Sequence, residues 1–300
     1  MLENAIDSPS SGIEKPNSNG TDFHILSYEG FPIHMKQYSK GLTDIPLVTI
    51  GGAFQNIDRV EKTCRALAEE SWVICVDTPG NGNTGVLPHE YSFDFICQAI
   101  NAGLKSLGVD AINLMGASYG TIIAMRYAKK FLGVNNLVLC SAMESLPEEL
   151  EFEFNRLLFL LKWNRIEDFA DGFTNLMTNS ELRKRNRLAR IAAEKLRYAL
   201  VHSTQGIREQ FRHNTMRILR DGKMDLRYMP DIPTTVYTGE YDNFVPVEAN
   251  IRVANSFSQG RFISIPNADH MVHVEKFRTN VQVILDGIMP QAEMKLELAA

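Results

Sequence analysis

The 300-residue sequence predicts an α/β fold in which a mostly parallel sheet is flanked by helices. Two observations support this class. From residue 47 onward, short apolar runs alternate with amphipathic helical stretches, which is typical of parallel strands joined by right-handed crossovers. The alternation stops after the sixth strand, and residues 143–229 carry helical patterns with almost nothing strand-like. The simplest architecture is therefore one sheet domain with a helical cap inserted after its sixth strand.

The strands can be assigned in order along the chain. Residues 23–28 and 33–38 alternate polar and apolar side chains around Gly30-Phe31-Pro32, which indicates a hairpin. Apolar runs bounded by turn residues predict the six remaining strands. We expect them at residues 47–50, 72–77, 111–115, 136–140, 234–239 and 261–265.

The helices between these strands follow from apolar residues at helical spacing. In the core we expect helices at 57–70, 92–107, 122–128, 247–257 and 272–287, and in the insertion at 147–162, 164–178, 180–201 and 205–220. The predicted domains are a core of residues 21–142 and 230–290 and a cap of residues 143–229. Residues 1–20, rich in Ser, Asn, Pro and Gly, predict a disordered tail, and a C-terminal tail is expected at residues 291–300.

Composition narrows the functional classes. A net charge of −5 argues against a nucleic-acid-binding protein. No apolar run approaches the roughly 18 residues that a membrane span needs. The N-terminal residues 1–7 carry acids and no apolar core of a secretory signal. The four cysteines lack paired spacing, so reduced thiols and a cytoplasmic location are expected. His24 and His34 have no third ligand nearby, and we expect neither a metal nor a cofactor.

Catalytic chemistry is indicated by Gly116-Ala117-Ser118-Tyr119-Gly120, which lies between a predicted strand and a predicted helix. A serine on such a sharp turn adopts strained dihedral angles, and side chains two residues before and after it would collide. Glycines at 116 and 120 remove that collision. The pattern is typical of a nucleophile elbow that exposes the Ser118 hydroxyl above a sheet.

A serine nucleophile needs a base and an acid that orients the base. His270 follows the last predicted strand, at the edge where sites of open α/β sheets cluster, and is the candidate base. His273, in the next helical turn, is the weaker alternative. Asp242 follows the strand at 234–239 and is the candidate acid; Glu240 is its rival, and Asp269 is too close in sequence to His270.

An oxyanion hole should combine the Tyr119 N–H with an N–H from the loop after residues 47–50. That loop is Gly51-Gly52-Ala53-Phe54. Ala53 is the better candidate donor and Phe54 the neighbouring one. The alternative interpretation is that these glycines only end the strand and form no oxyanion hole.

Taken together, these motifs resemble the α/β-hydrolase fold over residues 23–142 and 230–288. Two departures stand out: Gly51 occupies the position where the family often has a histidine, and Pro79 to Thr84 replace a common Arg-Gly-x-Gly-x-Ser segment. Within the family, the loop at 51–54 followed by residues 63–69 resembles bacterial rhamnolipid-pathway acyltransferases. The resemblance implies acyl chemistry on 3-hydroxyacyl groups taken from an acyl carrier protein.

The expected reaction is transfer or hydrolysis of an ester or thioester through an acyl-Ser118 intermediate. The apolar residues of the cap either pack in a core or line a pocket. In the second case, Phe154 and Leu158 of the cap, with Phe54 from the core, are the candidates to bind an aliphatic chain. Residues 178–229 hold thirteen Lys or Arg against five Asp or Glu. This charge is either solvated helix surface or a docking face for an acyl carrier protein or coenzyme A.

Two other classes remain open. The chain could be a carboxylesterase or a carbon–carbon bond hydrolase acting on a small soluble substrate, with the same three side chains. It could also be a member of the fold that binds a ligand without turnover.

Overall fold

The computed structural model describes residues 21–289 and has the predicted α/β class. The predicted tails at 1–20 and 291–300 lie outside these residues. The described residues form eight strands in one sheet. They are β1 (Thr21–Tyr28), β2 (Phe31–Tyr38), β3 (Leu47–Ile50), β4 (Val73–Asp77), β5 (Ile112–Ala117), β6 (Val134–Cys140), β7 (Thr234–Gly239) and β8 (Gly260–Ile265).

Sheet topology places the loops of interest at one edge. The spatial order is β1-β2-β4-β3-β5-β6-β7-β8. Strand β2 pairs antiparallel with both β1 and β4, and every pair from β4 to β8 is parallel. Parallel strands end at the same edge of a sheet, so the segments after β3, β5, β7 and β8 meet there.

Helices surround this sheet. They are α1 (Ile57–Leu67), α2 (Phe93–Ser106), α3 (Tyr119–Lys130), α4 (Glu148–Lys162), α5 (Ile166–Met177), α6 (Ser180–Arg185), α7 (Arg187–Val201), α8 (Gln205–Asp221), α9 (Val247–Asn255), α10 (Val272–Glu275) and α11 (Phe277–Ile288). One buried cluster joins the sheet to α2, α3 and α9 through Ile100, Ile123 and Val253. A second joins it to α1 and α11 through Leu67 and Ile284. Burying each such side chain contributes about 1.5–3 kcal/mol.

Two helices predicted as continuous are divided. The expected helix at 180–201 breaks at Asn186, whose backbone is extended and whose side chain accepts from the Leu188 and Ala189 N–H groups. An asparagine that satisfies free N–H groups begins a new helix at low cost, which is why α6 ends and α7 starts here. The expected helix at 272–287 breaks at Lys276, which is also non-helical.

Helices α4 to α8 follow β6 and precede β7 in the chain, and they have an aromatic core of their own. Phe154, Phe169, Phe173 and Phe211 are buried together. Phe244, in the segment after β7, belongs to the same cluster, so these helices pack on the edge of the sheet where the strands end.

Arg217 of α8 fixes the inserted helices to the core. Its side chain is fully buried. It donates to the carbonyl oxygens of Leu87, Pro88 and Tyr91 at 2.9, 2.9 and 2.7 Å. A buried guanidinium whose donors are used in this way ties α8 to the segment before α2.

Among residues 21–289, no helix is both long and apolar enough to cross a membrane.

Candidate active site

Ser118 occupies a strained turn between β5 and α3. Its φ is 49° and its ψ is −113°, which lies outside the regions that a serine ordinarily adopts. The Ser118 N–H donates to the Cys140 carbonyl at 2.8 Å and holds the turn against β6. A Cβ on Gly120 would lie 2.4 Å from the Ile50 oxygen, and one on Gly116 would lie 2.5 Å from the Gly120 oxygen. Both positions therefore require glycine.

The structure brings together the three side chains that the sequence nominates. The Ser118 Oγ lies 3.1 Å from the His270 Nε2. On the other side of the ring, the His270 Nδ1 lies 2.9 Å from the Asp242 Oδ2. Because a carboxylate only accepts, the Nδ1 carries a proton and donates to Asp242, which leaves Nε2 to accept from the Ser118 hydroxyl.

Asp242 is buried and fully used as an acceptor. Its Oδ2 accepts from His270, Ser141 and Thr238, and its Oδ1 from the Phe244 and Val245 N–H groups, all at 2.7–3.0 Å. Sequence reasoning missed Ser141 and Thr238. Their role depends on β6 and β7 being neighbours in the sheet, and the strand order cannot be derived from the local pattern of either residue.

Asp242 and His270 each stabilise the charged form of the other. Burial pushes the pKa of Asp242 up, but the positive charge and hydrogen bond of His270, with the other donors, bring it below its usual value. Burial pushes the pKa of His270 down, but the charge and hydrogen bond of Asp242 outweigh it and raise the pKa above the usual range. A proton on the His270 ring is therefore stabilised by the Asp242 carboxylate.

The rival residues have other partners. Glu240 accepts from the Asn267 N–H at 3.0 Å. Asp269 accepts from the Asn179 and Met271 N–H groups. The His273 Nε2 lies 3.2 Å from the Gln55 Nε2. None of these three side chains contacts the ring of His270 by a hydrogen bond within the described residues.

The loop after β3 lies against the serine. A Cβ on Gly52 would lie 3.2 Å from both the Ser118 Cβ and the Ala117 oxygen, so the glycine permits this approach. Ala53 and Tyr119 both line the same cavity as Ser118. Neither the Ala53 N–H nor the Tyr119 N–H donates to any acceptor within residues 21–289. Two free backbone donors beside a serine are suited to binding an oxyanion.

A cavity of about 400 Å³ opens at Ser118 and His270. This volume lies within the range of small-molecule sites, about 300–1,000 Å³. Its apolar walls come from the core and the inserted helices: Phe54, Met143, Leu146, Phe154, Phe173, Met177, Leu196, Phe211, Ile218, Phe244 and Val245.

Of the predicted substrate-binding residues, Phe54 and Phe154 line this cavity, and Leu158 does not. Leu158 is half-buried on α4, while the residue before it, Leu157, is buried in the aromatic core. The prediction for Leu158 was wrong because the phase of α4 cannot be read from a segment that is apolar on several faces. Phe54 stacks on Phe211 with ring centroids 4.8 Å apart.

Some basic residues of α6 and α7 have interaction partners within the described chain, and others have no ion-pair partner there. Arg183 donates to Asn175, Lys184 pairs with Glu181, and the Arg185 guanidinium lies 4.6 Å from the Tyr241 ring centroid. Lys195 is exposed, has no ion-pair partner in the described chain, and lines the cavity. The Lys195 ammonium group is thus a cation at the cavity that could pair with an anionic ligand.

A family model described as the alpha/beta hydrolase fold matches residues 45–277. No curated protein matches the sequence.

Several solved structures share the architecture. MGS-M2, an alpha/beta hydrolase enzyme from a Medee basin deep-sea metagenome library, is 17% identical with a TM-score of 0.78, covering 88% of this chain and 96% of that one. A thermophilic esterase from Thermogutta terrifontis is 21% identical (TM-score 0.73, 88% and 97% covered). The enol-lactonase from Burkholderia xenovorans LB400 is 14% identical (0.75, 88% and 99%). At these identities the similarities establish the fold.

Proposed function

The chain belongs to the α/β-hydrolase fold family, and we propose that it is a serine hydrolase that cleaves an ester or thioester through an acyl intermediate on Ser118. The observation that carries this proposal is the continuous hydrogen-bonded line from Ser118 through His270 to Asp242, at 3.1 and 2.9 Å. A serine hydroxyl is a weak nucleophile until a neighbouring base takes its proton.

In the first half-reaction, the Ser118 Oγ attacks the substrate carbonyl carbon while its proton passes to the His270 Nε2. The carbonyl π electrons move to the oxygen and give a tetrahedral oxyanion. Its collapse re-forms the carbonyl and breaks the bond to the leaving alcohol or thiol, which takes the proton from His270. In the second half, water attacks the acyl-Ser118 carbonyl by the same steps and the free acid leaves.

The Ala53 and Tyr119 N–H groups are proposed as the donors to the oxyanion. Both are free of other acceptors within residues 21–289 and line the cavity beside Ser118. Fixed donors of this kind stabilise charge that develops in the transition state, and removing one typically costs about 10²–10³ in kcat.

The proposed substrate class is a fatty or 3-hydroxy-fatty acyl group. The support is a cavity whose walls are mostly aromatic and aliphatic. An alkyl chain gains about 0.8 kcal/mol for each methylene it buries. Ser118 and His270 are among the polar residues that line this cavity.

Lys195 supports a second, finer proposal: delivery of the acyl group on an acyl carrier protein or coenzyme A. Its free ammonium group and its place at the cavity suit the phosphate of a pantetheine arm. We expect Lys195→Glu to raise KM for the carrier-bound thioester and to leave KM for a small neutral ester unchanged. Equal effects on both substrates would contradict delivery on a carrier.

Acyl transfer to an alcohol, as in the rhamnolipid-pathway acyltransferases that the sequence resembles, stays a prediction, as does the cytoplasmic location. An alcohol would replace water in the second half-reaction. A carboxylesterase or carbon–carbon bond hydrolase is the alternative if short soluble substrates are preferred.

Chain-length preference tests the substrate class. We expect kcat/KM on a series of acyl esters and thioesters to rise with chain length, and Leu196→Trp, which fills the cavity, to move the preference to shorter chains. Leu188→Trp is the matched control, because Leu188 lies on the same helix, is half-exposed and does not line the cavity. A preference for acetyl esters that neither variant changes would contradict a fatty acyl substrate.

A further inference from the structure

Gln55 holds both backbone hydrogen-bonding groups of Gly52. Its own N–H donates to the Gly52 oxygen at 3.1 Å and closes a tight turn. Its side-chain Oε1 accepts from the Gly52 N–H at 2.7 Å. Phe54, inside this turn, has a φ of 62°, which an aromatic residue rarely adopts. The turn is therefore a strained conformation that the Gln55 side chain holds in place.

The same amide reaches the helix that follows the candidate base. The Gln55 Nε2 lies 3.2 Å from the Nε2 of His273 on α10. Since the Gln55 Oε1 already accepts from Gly52, the amide nitrogen must donate, and the His273 Nε2 must accept. His273 is then the neutral tautomer with its proton on Nδ1. Gln55 thus links the loop after β3 to the segment that carries His270.

Glycine at position 51 makes room for this arrangement. A Cβ there would lie 3.0 Å from the Gln55 Cβ and 3.2 Å from its Oε1. A side chain at 51 would therefore displace the Gln55 amide. The sequence departs from the family pattern at this position, and the absence of a side chain there leaves room for the amide of Gln55, four residues further along the chain.

We propose that Gln55 and His273 are positioning residues that aim the Ala53 N–H at the substrate oxyanion. The proposal rests on the serine-hydrolase function proposed above. The Ala53 N–H belongs to the same planar peptide as the Gly52 carbonyl, so fixing Gly52 restricts the direction of the Ala53 N–H. A donor contributes fully only when it points at the position where the oxyanion forms.

A paired set of variants tests this inference. Gln55→Met removes both polar contacts at similar volume, and we expect kcat on a neutral ester to fall about 10- to 100-fold with KM within twofold. Affinity for a trifluoromethyl ketone, whose adduct with Ser118 carries an oxyanion, should fall in parallel. Gln282→Met is the matched control, because Gln282 is on α11 and bonds only to Asp286 in the described chain.

Variants of His273 provide a second test that leaves the sequence of the loop after β3 unchanged. His273→Leu removes the acceptor and should lower kcat in the same direction. His273→Gln offers a carbonyl oxygen to the Gln55 amide and should recover most of the activity. Melting temperatures of all variants show whether a loss reflects unfolding.

The outcomes separate the two proposals. A wild-type enzyme that turns over esters, with Gln55→Met and His273→Leu equal to it in kcat and ketone affinity, would overturn the positioning role and leave the serine-hydrolase function standing. A loss confined to KM, or equal losses in the Leu and Gln variants of His273, would also overturn it. Absence of turnover in the wild type would overturn both.

Discussion

The Ser118 hydroxyl and the His270 ring lie 3.1 Å apart although 152 positions separate them in the chain. Two strands, β6 and β7, stand between the strands from which the two residues emerge. The loop after β8 therefore has to reach back over this edge of the sheet. Asp242 lies in the loop after β7, and its carboxylate accepts from the His270 Nδ1 and so fixes the orientation of the ring.

Replacing Asp242 with asparagine tests how the base is tuned. His270 must be neutral to accept the serine proton, so kcat/KM should fall as the pH drops through its pKa, which Asp242 raises above the usual value. Asp242→Asn removes that charge, so the acid limb should move to lower pH and kcat should fall about 10³- to 10⁴-fold. A pH–rate profile measures both. Glu240→Gln is the control, and an acid limb that stays in place in Asp242→Asn would contradict the assignment.

Gly120 should be intolerant of a side chain. In Gly120→Ala the new Cβ would meet the Ile50 and Gly51 oxygens at 2.4 and 2.7 Å, so the elbow or β3 must move. We expect a loss of more than about 2 kcal/mol in the free energy of unfolding, measured by urea denaturation. Gly206→Ala is the control, because its Cβ would meet only the Thr204 hydroxyl, at 3.9 Å. Equal stability of the two variants would show that the turn accommodates a methyl group.

Arg217 should be essential for attaching α8. In Arg217→Met the Leu87, Pro88 and Tyr91 carbonyls lose their donor, and each buried acceptor left unpaired costs about 1–3 kcal/mol. We expect a loss of about 3 kcal/mol or more in the free energy of unfolding, together with faster proteolysis of the segment before α2. Arg190→Met, at an exposed position of α7, should be neutral. A neutral Arg217→Met would refute the anchoring role.

Glu275 should make stability depend on pH. Burial raises the pKa of its carboxyl, and Asp269 raises it further. A raised folded-state pKa means that the stability this group contributes is complete below its usual value and is lost as the pH rises through the folded value. Glu275→Gln keeps an acceptor for the Asp269 N–H and removes the ionisation. The variant should gain stability over the wild type between about pH 5 and 9, and a difference that does not change with pH would contradict this.

The sequence is informative where a function imposes a local pattern. The glycines at 116 and 120 and the positions of Asp242 and His270 after strands follow from steric and topological rules, so these residues could be nominated before the structure. The contacts of Ser141 with Asp242 and of Gln55 with His273 could not be predicted, because each joins segments far apart in the chain. Leu158 and the break at Asn186 concern the phase and continuity of helices, which apolar spacing alone leaves undetermined.

Intact-protein mass spectrometry after brief incubation with acyl thioesters and esters tests the central claim most directly. We predict a mass increase equal to one acyl group, located on Ser118 by peptide mapping, and absent from Ser118→Ala, which should also lack turnover. No adduct and no turnover across both substrate sets, with Ser118→Ala indistinguishable from the wild type, would contradict the serine-hydrolase function and favour a member of the fold that binds its ligand without chemistry.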